Sequence, residues 1–263
     1  MTDAKKTSVF EPVLLEIFVT TRCNLDCTYC SSRELVSSGE KTITLKRLTR
    51  AIDLFSLHAV PQRFHRMEKS QFTQRVISFT GGEPMLEFGL LREAVNYIRN
   101  KSEKFTIIVN TNGTILDKKK ADFLLGQDVN IAISLDGTRE TTDYHRKFRE
   151  KKGVSVFDAV VDNLNKTPKE YLGNLRVAVT TTSKTIGSII ESIEFLQKMG
   201  FKRVALDLDS YEIWGKKDLK FLKKVLAEVR KYYIGIMNTG SLERIEKILG
   251  FSLENVQRSR DYQ

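Results

Sequence analysis

The sequence predicts an α/β fold built from repeated βα units on a parallel sheet, and three observations lead there. Short β-branched runs alternate with helical patterns along almost the whole chain, which is how strands joined by crossover helices read. Polar or glycine-rich turns follow four successive strands. A chain of 263 residues, 41% of them hydrophobic, suits one α/β domain of barrel size or two small ones.

The units follow in order. Strands are expected over Leu14–Val19, Val76–Phe79, Thr106–Asn110, Ile131–Leu135, Val177–Thr181 and Val204–Leu208, each a short β-branched run. The helices expected between them span Leu45–Leu57, Gly89–Lys101, Lys118–Leu125, Val156–Asn165, Ile186–Met199 and Lys217–Met237, with apolar residues at helical spacing. Thr44 and Asp117 are suited to cap two of these helices, and Gly200 follows the fifth, where a left-handed residue is wanted. Pro61–Arg75, with Arg63, His65, Arg66, Lys69 and Arg75, lengthens the first crossover and reads as a mobile surface loop. The domain reading is a core over 1–240, followed over 241–263 by an amphipathic helix and tail with Leu242, Ile245, Ile248 and Leu249 on one face.

No run of 18 apolar residues exists, and the polar Met1–Thr7 lacks the apolar stretch of a signal peptide, so no membrane span is expected. The three cysteines are clustered and cannot build a secretory disulfide framework, which points to a reducing, cytoplasmic setting. A net charge of +10 permits an acidic or polyanionic partner. Part of the excess sits in Arg139–Lys152, read as a basic loop, and part in Gly215–Gln263.

Cys23, Cys27 and Cys30 lie in the run Cys23-Asn24-Leu25-Asp26-Cys27-Thr28-Tyr29-Cys30. This CxxxCxxC spacing puts three thiolates on one short loop, enough for three irons of a [4Fe–4S] cube with the fourth iron left open. The competing reading is a zinc site completed by His58, His65 or His145. Gly81-Gly82-Glu83-Pro84 follows the second strand, where glycine lets the backbone approach a ligand and Glu83 could hold an ammonium group; a tight turn would need no ligand. Asn110-Thr111-Asn112-Gly113 ends the third strand and Ser134-Leu135-Asp136-Gly137 the fourth. In parallel βα assemblies such strand ends share one mouth.

The cysteine run, with aromatic Tyr29 before the last cysteine, and Gly81-Gly82-Glu83-Pro84 together resemble the radical S-adenosylmethionine (radical SAM) superfamily from about Leu14 to about Ser210. Ser134-Leu135-Asp136-Gly137 followed by His145-Arg146 is similar to the subgroup of anaerobic sulfatase-maturating enzymes and peptide maturases. The resemblance implies an incomplete (βα)6 TIM-like barrel of parallel strands with outer helices. It implies a [4Fe–4S] cluster on the three cysteines and S-adenosyl-L-methionine on the open iron, cleaved reductively to a 5′-deoxyadenosyl radical that abstracts hydrogen from a substrate.

By the same resemblance Gly82 and Glu83 meet the methionine amino group, Tyr29 lies near the adenine, Ser134 contacts the ribose and Arg146 the carboxylate. Asn110 and Asn112 are candidates for ribose or substrate, although an Asn-Gly turn accounts for them too. Leu206 or Leu208 is a candidate for packing on adenine, although leucines on a strand ordinarily belong to the core. The implied substrate is a peptide or protein, with an electron donor such as flavodoxin or ferredoxin and a partner protein that could supply peptide recognition. The subgroup's cysteine-rich C-terminal extension has no counterpart after Cys30, so no auxiliary cluster held by thiolates is expected. RNA modification through the basic stretches is the alternative, against which no interleaving of aromatic and basic residues is found. A non-catalytic metal-binding subunit is a further alternative.

Overall fold

The computed structural model describes residues 12–39, 41–57 and 75–238. Six strands run parallel in one sheet, in the order in which they occur along the chain. They are β1 (Leu14–Thr20), β2 (Val76–Gly81), β3 (Thr106–Thr111), β4 (Val129–Ser134), β5 (Arg176–Thr181) and β6 (Arg203–Leu208). Among the described residues no strand pairs with the outer edge of β1 or β6, so the sheet stays open. This is the incomplete (βα)6 arrangement the sequence predicts.

The helices are α1 (Arg33–Ser37), α2 (Leu45–Ser56), α3 (Phe88–Arg99), α4 (Lys118–Gly126), α5 (Arg139–His145), α6 (Val156–Asn165), α7 (Lys169–Leu172), α8 (Ile189–Met199) and α9 (Lys216–Asn238). The longer helices each bury an apolar stripe, and α9 packs on α8 and the turn before it. In α2 the stripe is Leu48, Ile52 and Phe55, and in α8 it is Ile189, Ile193 and Leu196. Leu48 and Ile52 are fully buried, and each such side chain contributes roughly 1.5–3 kcal/mol of transfer free energy. Thr44 caps α2 by accepting from the Arg47 amide, Asp117 caps α4 by accepting from the Lys120 amide, and Gly200 ends α8 at φ +111°. Among the described residues no helix is long and apolar enough to cross a membrane.

Four features differ from the sequence reading. Helices α1, α5 and α7, of 5, 7 and 4 residues, were not expected, because an element that short carries too little periodicity to register. The stretch Arg139–Lys152, read as a basic loop, begins as α5, which Thr138 opens by accepting from the Thr141 amide. The fifth expected helix starts as a tighter 3₁₀ turn over Ile186–Ser188 before α8 begins. Arg75, counted in a surface loop, is only 2% exposed. Its guanidinium donates to the Phe55 carbonyl at 2.6 Å, stacks over the Phe55 and Phe105 rings and pairs with Glu103 at 3.2 Å. The flat cation buries its faces on aromatic carbon while its edge keeps hydrogen bonds. The rest of that loop and the amphipathic segment Ser241–Gln263 lie outside the described residues.

Candidate active site

β1 ends at Thr20 and the chain turns into the loop that carries the three cysteines. Backbone pairing with residues 145–149 folds this loop. The amides of Asp26 and Thr28 donate to the carbonyls of Lys147 and His145 at 2.8 and 3.0 Å, and the Arg149 amide returns a bond to Asn24 at 3.0 Å. Leu25 and Phe148 form an antiparallel bridge, and the Leu25 side chain is 2% exposed. Arg33, at the start of α1, closes the turn by donating to the carbonyls of Cys27 and Thr28 at 2.7 and 3.0 Å. The basic stretch is therefore the wall against which the cysteine loop is built.

Cys23, Cys27 and Cys30 are free thiols on one cavity of about 80 Å³, whose other lining residues include Leu25, Val36, Arg33 and Arg149. Burial raises the Cys23 thiol above its ordinary pKa and pushes Cys27 up to about 11, so metal must displace protons to bind here. The donor set fits a [4Fe–4S] core. Three thiols face one partly apolar cavity, the Leu25 amide donates to Cys23 Sγ at 3.4 Å, and Arg33 and Arg149 bring positive charge to offset thiolates. A single-ion zinc site fits less well. Among the described residues no three His, Cys, Asp or Glu side chains converge on one ion position. His145 is also engaged at both ring nitrogens, with Thr28 at 2.5 Å and Thr182 at 2.9 Å. His58 and His65 lie outside the described residues.

The glycines after β2 approach protein backbone. A Cβ at Gly81, whose φ is +143°, would stand 2.4 Å from the Thr20 carbonyl oxygen, and one at Gly82 would stand 2.2 Å from that of Arg22. The amides of Gly82 and Glu83 donate to those same two oxygens, each at 2.8 Å. Close backbone approach at these glycines seats the cysteine loop against the end of β2.

The Glu83 side chain is engaged by the protein itself. Glu83 is 0% exposed. Its Oε1 accepts from the Met85 amide at 3.0 Å and Thr111 Oγ1 at 2.6 Å, and its Oε2 from the Asn112 amide at 2.7 Å. The carboxylate joins the ends of β2 and β3. Burial nevertheless outweighs these bonds and pushes its pKa up to about 7.

Tyr29 and Arg146 meet at Asp136. The Arg146 guanidinium, 5% exposed, pairs with the Asp136 carboxylate through Nε and Nη2, both at 2.9 Å, and lies 5.3 Å from the centre of the Tyr29 ring. Tyr29 donates its phenol hydrogen to Asp136 Oδ2. Asp136 Oδ1 also accepts from the Thr180 amide at 2.9 Å, which joins the ends of β4 and β5. Burial opposes the Arg146 charge, but Asp136 more than compensates and holds its pKa well above the ordinary value. Arg146 thus pairs with a carboxylate of the protein, and the Tyr29 phenol is directed at the same group.

Ser134 is half-buried at the end of β4. Asn110 donates to Ser78 Oγ at 3.0 Å. Asn112 donates to Asn24 Oδ1 at 2.9 Å and accepts from Thr114, which ties the cysteine loop to the end of β3. Leu206 packs against the core, whereas Leu208 is exposed. The sequence reading gave no role to Asp136, Asn24, Arg33 or Arg149. Asp136 is marked locally as a carboxylate in the turn after β4; no local signal marks Arg149, whose role depends on a contact far along the chain.

Residues 17–170 match the family model described as the Radical SAM superfamily. Over 195 residues, 69% of this chain and 47% of the relative, the chain is 29% identical to the cysteine-type anaerobic sulfatase-maturating enzyme of Clostridium novyi. It is 22% identical to the probable GTP 3′,8-cyclase of Halobacterium salinarum over 249 residues, 86% of this chain and 63% of the relative. Its fold matches the solved structure titled native anSMEcpe with bound AdoMet and Cp18Cys peptide at a TM-score of 0.66 and 22% identity, covering 86% of this chain and 61% of that one. The chain thus spans about half to two thirds of the length of the curated relatives it matches. With the three-thiol cavity in place and the model match covering more than half of its length, the chain belongs to the radical SAM superfamily, whose members use a [4Fe–4S] cluster and S-adenosylmethionine.

Proposed function

We propose that this chain cleaves S-adenosylmethionine reductively at a cluster held by Cys23, Cys27 and Cys30 and abstracts hydrogen from a peptide or protein, at a side chain or Cα. The observation that carries the reading is that three free thiols line one cavity, on a loop seated on the ends of β2, β3 and β4. When bound, the cluster and S-adenosylmethionine supply one-electron cleavage of a sulfonium and a 5′-deoxyadenosyl radical. The protein holds the thiols through residues 145–149 and Arg33, offsets their charge with Arg33 and Arg149, and offers the Ser134 hydroxyl at the neighbouring strand end.

Two findings support a peptide substrate: the likeness to a sulfatase-maturating enzyme, and a fold neighbour whose title includes a bound peptide. The likeness to a GTP cyclase favours a nucleotide instead and makes that the second reading. RNA loses support, because Arg139 pairs with Asp158, Arg146 with Asp136, and Arg149 lines the cavity. We place the chain in the cytoplasm, with a flavodoxin- or ferredoxin-type donor and a partner protein that supplies peptide recognition.

Anaerobic reconstitution with iron and sulfide should give a brown protein absorbing near ~400 nm that releases 5′-deoxyadenosine once reduced. Cys27→Ala should lose colour and release together. A reconstituted wild-type chain that stays colourless and binds zinc would falsify the cluster assignment. Among substrates, a peptide should stimulate release and GTP should not; the reverse result transfers the assignment to nucleotides.

A further inference from the structure

Resting on the cluster reading above, we propose that Asp136 is a positioning residue for the cysteine loop: its carboxylate holds the Tyr29 phenol, and through Tyr29 the Cys27–Cys30 segment, in register with the ends of β4 and β5. Asp136 is 2% exposed, and its two carboxylate oxygens accept from three different elements. Tyr29 comes from the loop, Arg146 from the end of α5, and the Thr180 amide from β5. Its own carbonyl accepts from Thr141 Oγ1 at 2.8 Å, which fixes the turn that carries it.

The geometry sets a division of labour. Residues 145–149 bind the backbone of Asn24–Thr28, and Arg33 binds the carbonyls of Cys27 and Thr28. Tyr29 is bonded through its side chain, and its ring rests between His145, 5.0 Å away between centroids, and the Arg146 guanidinium. A buried carboxylate accepting several hydrogen bonds at once is a rigid node, since moving it leaves more than one group unpaired. Arg146 supplies the compensating charge that lets the node be buried. Its bidentate geometry also fixes the plane of the carboxylate, and with it the direction in which the phenol is held.

The test compares the rate at which a chelator strips iron from reconstituted wild type, Tyr29→Phe, Asp136→Asn and the double variant, with melting temperatures of the same samples. Tyr29→Phe removes one hydroxyl and should lose iron about tenfold faster, the factor expected for one hydrogen bond to a charged group. If Asp136 acts through Tyr29, the double variant should lose iron no faster than Asp136→Asn alone. Tyr97→Phe breaks a comparable phenol–carboxylate bond, to Asp53 at 2.6 Å, away from the cysteine loop and should leave the rate unchanged. Wild-type iron retention in Tyr29→Phe, or equal loss in Tyr97→Phe, would overturn the inference. A wild-type chain that assembles no cluster would instead overturn the reading on which it rests.

Discussion

The Glu83 carboxylate is buried and bonded within the protein. A carboxylate after two glycines at a strand end looks available to a ligand, yet the fold turns it inward onto Thr111 and Asn112. Its raised pKa links stability to pH. With the native pKa near 7 and an ordinary value of 4.5, its favourable contribution is complete below about 4.5 and is lost as pH rises through about 7. The full change corresponds to roughly 3 kcal/mol at 1.36 kcal/mol per unit. His145 acts in the opposite direction: burial lowers its pKa, so its contribution is present above its ordinary 6.5 and fades as pH falls through the lowered value. Subtracting the melting profile of Glu83→Gln from that of the metal-free wild type between pH 5 and 8 isolates the Glu83 slope. The difference should favour the wild type most at the acidic end; a flat difference would show that Glu83 keeps an ordinary pKa in the fold.

At the scale of elements, the long helices were readable because each repeats an apolar residue every three or four positions over several turns. α2 and α6 show this most plainly, with Leu48, Ile52 and Phe55 in one and Val156, Val160 and Leu164 in the other. α5 was not readable, since Arg139–His145 is short and its buried residues are Thr141, Thr142 and His145. Its placement follows from the Thr138 cap and from packing against the cysteine loop. The turn after β2 shows a third situation: its glycines were noticed, but only their neighbours explain them. Gly82→Ala would force a Cβ to within 2.2 Å of the Arg22 carbonyl oxygen. Overpacking of this kind costs about 1–3 kcal/mol. The variant should melt lower and take up less iron on reconstitution, because the displaced backbone leads directly to Cys23; normal iron content would show that the loop tolerates the shift.

Over the whole molecule, the six parallel strands predict a gradient of protection from the middle of the sheet to its edges. β2, β3, β4 and β5 pair on both sides, whereas β6 pairs only with β5 among the described residues. Native-state hydrogen exchange should be slowest in β2 to β5 and at least about tenfold faster in β6, as expected where local opening breaks fewer contacts. Uniform protection across the sheet would mean that another segment covers the β6 edge. The sequence by itself determined the number of strands, their parallel order and the three thiols, because period, turn chemistry and cysteine spacing are local properties of the chain. Only the tertiary structure decided which protein groups Glu83, Arg146 and Gly82 meet. Glu83 and Gly82 follow β2 and Arg146 follows α5, and the protein groups they meet are Asn112, Arg22 and Asp136. Two of those partners lie far along the chain from the residues they engage, and the third is fixed by the geometry of its own turn, so no local pattern could name them.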